Sequence, residues 1–129
     1  MIEPLYIEKS NLTPKVILDK SEEIFLFKGR SLPQNVFEFY EPIYAWITQY
    51  IEEPNQSSVF TFELEYFNSS SSKAILQLLK MLETLTNNGL EVKVNWCYQE
   101  YDEDTLESGQ TYSTLVDIPF FFQTISEVK

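Results

Sequence analysis

Between residues 58 and 85 the hydrophobic period changes abruptly, with only a serine run in between. In SVFTFELEYF (58–67), Phe60, Phe62, Leu64 and Tyr66 alternate with Val59, Thr61, Glu63, Glu65 and Phe67. That period of two predicts a strand with one mostly apolar face. Past the serines, Ile75, Leu78, Leu79, Leu82 and Leu85 recur at helical spacing, while Lys73, Gln77, Lys80 and Glu83 fall largely on other faces. A strand that runs straight into an amphipathic helix must share a core with it, which directs the chain towards layered α/β architectures.

The flanking segments extend the pattern. PLYIEK (4–9), KVILDK (15–20) and IFLFKG (24–29) read as three short strands in an antiparallel meander, with Gly29 ending the last. From Val36, the positions Tyr40, Ile43, Tyr44, Ile47, Tyr50 and Ile51 form one helical face. Pro42 implies either a kink or a helix starting near Glu41, and Pro54 stops the helix. TNNG (86–89) is a helix-ending signal with Gly89 as a left-handed cap. LEVKVNWCY (90–98) alternates as a strand, residues 99–117 read as a short or interrupted third helix, and IPFFFQTI (118–125) closes as a strand. The expected order is β-β-β-α-β-α-β-α-β in one domain spanning 1–129, and the later alternation implies right-handed parallel crossovers. The expected fold is therefore α/β: a mixed sheet with an N-terminal antiparallel meander followed by alternating helices and strands.

Composition excludes several functions. Hydrophobic residues make up 43% of the 129, too many for a disordered chain. Formal net charge is −11, from 20 acidic and 9 basic residues, which argues against nucleic acid or an anionic membrane surface as partner. No apolar run approaches the roughly 18 residues of a membrane span. The opening MIEPLYIEKS has no charged stretch followed by an apolar one, so no signal peptide is expected. The single Cys97 rules out an internal disulfide and suits a reducing cytoplasm. With no histidine and one cysteine, the chain cannot build Ser-His-Asp or Cys-His catalysis and is a poor zinc candidate. Neither a metal nor another cofactor is expected, and partners are expected to be proteins.

The junction Asn68–Lys73 carries the most chemistry. A helix start presents unpaired N–H groups and partial positive charge, which a Ser or Asn side chain caps and which also favours a phosphate. A serine there most often only caps, but one cap needs one serine; three further small polar residues suit a surface where another protein docks. Lys73 is close enough in sequence to pair with a phosphate. The acidic run Glu100, Asp102, Glu103, Asp104 and Glu107 lacks the spacing and glycine of a calcium loop and reads first as a solvated face, with docking of a basic partner as the second reading. Cys97, with only Lys93 nearby to lower its pKa, reads as a structural thiol. Tyr40, Tyr44 and Trp46 read as core or edge aromatics.

Four segments, GRSLPQNVFEFYEPIYAWI (29–47), LEYFNSSSSKAI (64–75), VNWCYQEYDED (94–104) and DIPFFF (117–122), together resemble the SiaC-like family of small bacterial phosphoproteins, whose domain is similar to STAS domains. The resemblance implies a STAS-like domain with no catalytic activity of its own, acting in partner switching. It implies phosphorylation of the residue after the motif asparagine, here Ser69, with Asn68, Ser70, Ser71 and Lys73 around it. It further implies a Ser/Thr kinase of histidine-kinase-like fold, a PP2C-type phosphatase, and a diguanylate cyclase activated by the unphosphorylated form, raising cyclic di-GMP and promoting biofilm formation. Two positions depart from the family: Ser69 stands where Thr is frequent, and Gln34 where Glu is frequent. The extra serines leave Ser70 or Ser71 as alternative acceptors. The rival reading from residues alone is a small-ligand-binding module, with aromatics of the first helix and closing strand lining a pocket; a carboxylate-dependent enzyme ranks last.

Overall fold

The computed structural model describes residues 2–125. The ends of the expected 1–129 domain, Met1 and residues 126–129, lie outside them. The elements are β1 (Leu5–Ile7), β2 (Lys15–Asp19), β3 (Ile24–Ser31), α1 (Val36–Glu52), β4 (Ser57–Phe67), α2 (Ser69–Asn87), β5 (Glu91–Gln99), α3 (Glu103–Leu115) and β6 (Phe120–Ile125). All six strands join one sheet in sequential order. β1–β2 and β2–β3 pair antiparallel, and β3–β4, β4–β5 and β5–β6 pair parallel. The expected meander and mixed sheet are both present.

The helices cover one face of the sheet. Phe25 of β3 packs on Trp46 and Tyr50 of α1, and Trp96 of β5 packs on Tyr112 of α3. Between them, Ile75, Leu78, Leu79, Leu82 and Leu85 of α2 are buried. These burials drive the fold, each large side chain contributing about 1.5–3 kcal/mol. The opposite face carries Ile17, Leu26, Thr61, Asn95 and Phe121 in one row of paired positions.

Two local readings are corrected by packing, and two left open are narrowed. Gly29 does not end β3; it sits inside the strand at φ 127°, a conformation that favours glycine. Beside it the register slips, with Gly29 opposite Leu64 but Arg30 opposite Tyr66, so Glu65 is left unpaired as a bulge. The bulge inverts the facing of the last two residues of β4: Tyr66, expected inside, is 50% exposed, and Phe67 turns in against Trp96 and Tyr112. α1 runs unbroken through Pro42, because the proline and the Glu38 carbonyl it leaves unbonded both lie on the solvent side. α3 is continuous: Asp102 caps its first turn through Thr105, and Glu103 and Asp104 suit its positive end. Gly89, at φ 81°, ends α2 as expected.

α3 lies tight against β5 because of Gly109, a residue the sequence reading passed over. A methyl group at Gly109 would fall inside the indole of Trp96, whose Nε1–H donates to the Thr105 carbonyl (2.8 Å).

Candidate functional site

The site lies at the carboxyl ends of the parallel strands, where open α/β sheets place their binding crevices. β4 ends at Phe67, and Asn68, extended at ψ 179°, turns the chain into α2. The cap is Asn68, not a serine. Its Oδ1 accepts the Ser71 N–H (2.9 Å), and its carbonyl accepts the Ser72 N–H (2.8 Å). Its own N–H donates to the Ser31 carbonyl (3.1 Å), tying the turn to the end of β3. Ser69 and Ser70 occupy the first two helical positions, with exposed side chains, and their N–H groups are the first-turn donors that Asn68 does not satisfy.

The other two serines face inward. Ser71 is fully buried, and its Oγ accepts from Ser31 Oγ (2.8 Å). A hydroxyl has one proton, so Tyr40 donates in turn to Ser31 Oγ (2.7 Å). Burial pushes the Tyr40 hydroxyl up to about 12, which keeps it a donor across the physiological range. Ser72 meets α3: the Tyr112 hydroxyl donates to the Ser72 carbonyl (2.9 Å) and lies 3.0 Å from Ser72 Oγ. Burial also raises the Tyr112 pKa. Hydroxyls from β3, α1 and α3 thus hold the first turn of α2 from beneath.

Asn68, Ser69, Ser70, Ser71 and Lys73, the residues singled out in the sequence, come together in this turn. Lys73 is exposed one helical turn after Ser69, and among the described residues it enters no ion pair. Ser71 shapes the turn from inside. The sequence reading missed Ser31, Tyr40 as a hydrogen-bonding group, and Tyr112. An apolar-face serine or tyrosine at the end of an element was the available signal. It also missed Phe37, which lies off the apolar stripe of α1 and is 80% exposed.

Elsewhere the chemistry is muted. Cys97 is buried on the opposite sheet face and its thiol is pushed up to about 11 by burial and by nearby Glu63, which fits a structural thiol. The pocket expected between α1 and the closing strand is not formed. α1 packs near β3 while β6 is the far edge of the sheet, and no described hollow joins them. A hollow of about 730 Å³, lined by residues such as Lys20, Glu53 and Gln56, opens at the amino end of β4, away from Ser69. No described group of acidic or cysteine side chains has the arrangement of a metal site, and no helix among the described residues is long and apolar enough to cross a membrane.

The fold and the site together define a mixed α/β module with an exposed serine hydroxyl at an Asn-capped helix start. The chain belongs to the SiaC family of regulatory phosphoproteins, whose family model matches residues 7–125. Apo-SiaC from Pseudomonas aeruginosa has a similar structure (TM-score 0.84, 24% identity, 95% of this chain and 99% of that one covered). So does a chain in the crystal structure of diguanylate cyclase SiaD in complex with its activator SiaC from the same organism (TM-score 0.88, 25% identity, 94% and 99% covered). An uncharacterized Pseudomonas aeruginosa protein is 25% identical over 123 residues, covering 95% of this chain and 98% of its own length.

Proposed function

We propose that the chain is a cytoplasmic regulator, one unit over residues 1–129 and without catalytic activity, that is reversibly phosphorylated on Ser69. A Ser/Thr kinase of histidine-kinase-like fold adds the phosphate and a PP2C-type phosphatase removes it. The unmodified form binds and activates a diguanylate cyclase, and so promotes cyclic di-GMP signalling and biofilm formation. The reading is supported by membership in a family of regulatory phosphoproteins and by the Pseudomonas aeruginosa relative that activates the cyclase SiaD.

The observation that carries it is the exposure of the Ser69 hydroxyl at the first position of α2, on a turn already fixed by Asn68 and the buried hydroxyls. A phosphate there adds about −1.5 to −2 charges. The helix start stabilises it by about 0.3–1 kcal/mol, approaching about 2 kcal/mol where partly shielded. The turn is held from below, so modification changes the charge of the surface without refolding it. A partner docked on that surface meets a doubly charged group where it previously met a hydroxyl.

Affinity capture tests the reading. Unmodified chain is expected to retain a diguanylate cyclase and raise its rate of cyclic di-GMP synthesis, and Ser69→Asp to lose both effects. Equal retention and equal stimulation by the two forms would contradict it.

A further inference from the structure

The two edges of the sheet are built differently. β1 spans only Leu5–Ile7, between Glu3 and the pair Glu8 and Lys9, the short and charge-flanked form in which an edge discourages a further strand. β6 has neither guard. It runs six residues, Phe120–Ile125, and IPFFFQTI (118–125) contains no formal charge on a chain of −11. Phe121 and Phe122 are 52% and 38% exposed, and among the described residues no strand pairs with the outer side of β6. α3 leaves that side open, because Gly109 and Tyr112 seat the helix over Trp96 of β5. The Val94 N–H donates to the Pro119 carbonyl (2.9 Å), which sets the phase of the β5–β6 ladder. Phe121, Gln123 and Ile125 therefore turn their backbone groups towards β5, and Phe120, Phe122 and Thr124 turn theirs outward.

We propose that β6 pairs with β6 of a second copy of the chain, antiparallel about a two-fold axis at Phe122, so that two sheets join edge to edge. The segment is its own complement. With Phe122 against the partner's Phe122 and Phe120 against the partner's Thr124, every outward residue meets an outward residue, and each such pair exchanges two backbone hydrogen bonds. The paired side chains also share a face. Phe120 lies against Trp96 on the helix side, and Phe122 and Thr124 follow it at the period of two. The charge pattern selects a second copy as the occupant, since two chains of −11 can meet along 118–125 with no like charges opposed across the ladder. A two-fold contact uses the same edge on both copies and closes there, leaving only the guarded β1 edges outside. The axis stands perpendicular to the sheet, so both helix layers lie on one side. β4 is two strands in from β6, so both Ser69 turns stay clear of the junction. The pairing does not rest on phosphorylation of Ser69.

Sedimentation of the full chain over a range of concentration and salt tests the pairing. A monomer–dimer equilibrium is expected, and it should tighten as salt screens the repulsion between two acidic chains. Thr124→Pro removes one outward N–H and no bond to β5, and Phe122→Lys brings two ammonium groups together at the axis. Each is expected to weaken the dimer by about tenfold or more. Thr124 is exposed, so the circular dichroism spectrum of Thr124→Pro is expected to match that of wild type. Under mild oxidation Phe122→Cys should link two copies through a disulfide, because residues paired across an antiparallel ladder lie about 5.5 Å apart at Cα. Thr124→Cys, which faces the partner's Phe120, should not, and the native Cys97 is buried. The proposal is overturned if the chain sediments as a monomer up to about 1 mM, or if both β6 substitutions leave a dimer intact. It is also overturned if the dimer weakens with salt, as a contact built on ion pairs would, or if Thr124→Cys links as readily as Phe122→Cys. A monomer that instead binds an extended peptide from a displayed library, and loses it in Thr124→Pro, would assign the edge to another protein's strand and end the proposal. Ser69→Asp is expected to leave the dimer unchanged; its loss there would move the contact to α2. Failure of the pairing leaves the phosphorylation reading untouched.

Discussion

Ser69 and Ser70 are exposed, whereas Ser71 is sealed in the core and Ser72 is latched to α3. Four copies of one side chain, adjacent in sequence, thus divide into an outer pair and an inner pair. Helical phase makes the division. Ser71 shares the stripe of Ile75, Leu78 and Leu82, and Ser69 shares that of Lys73. The inner pair engages its hydroxyls with Ser31, itself bonded to Tyr40, and with Tyr112, while the outer pair keeps its hydroxyls in solvent. The contrast teaches that an exposed hydroxyl, here the proposed modification site, can stand on a turn whose backbone is fixed from beneath. The same run of serines supplies accessible hydroxyls and the anchors that hold their backbone.

Substitutions can break or sharpen this contrast. The largest effect is expected from Gly109→Val, which drives side-chain atoms into the Trp96 ring and pushes α3, with its Tyr112 latch, off the inner pair. A loss of about 3 kcal/mol in urea unfolding is expected. Ser71→Ala removes the buried acceptor of the Ser31 hydroxyl and is expected to cost about 1–2 kcal/mol. Tyr40→Phe should cost about 1 kcal/mol and also alter the response to alkali. The Tyr40 pKa is raised to about 12 in the folded chain against about 10 in the unfolded one. Its contribution is therefore fully present below about pH 10 and is lost as pH rises towards about 12, and Tyr40→Phe should flatten that decline in unfolding curves. The smallest effect is expected from Ser69→Ala and Ser70→Ala, each within about 0.5 kcal/mol of wild type. An outer-pair substitution that costs as much as Ser71→Ala would erase the distinction.

Much of this was legible in the sequence, for physical reasons. Strand order, the α2 stripe and the Gly89 cap depend on local period and local backbone preference, which short segments carry in themselves. The face change at Tyr66 and Phe67 did not show, because a bulge arises from pairing with a neighbouring strand. Gly29 looked like a terminator, since a glycine reads the same whether it ends a strand or bends one. The capping group stayed open between serine and asparagine because Asn68 and Ser69 are both good caps, and only the position where β4 releases the chain chooses between them. Gly109 was silent because its role is to leave room for an indole thirteen residues earlier in the chain. At the site, the exposed residues announced themselves by composition, whereas Ser31, Tyr40 and Tyr112 reach it only through tertiary contacts.

The most direct measurement is phosphopeptide mapping of the full chain recovered from its native cells, in wild type and in Ser69→Ala. A single phosphate on Ser69, absent from the alanine variant while Ser70, Ser71 and Ser72 remain unmodified, is the predicted result. Phosphate found on Ser70 or Ser72 in the wild type, or retained at full stoichiometry in Ser69→Ala, would contradict the account.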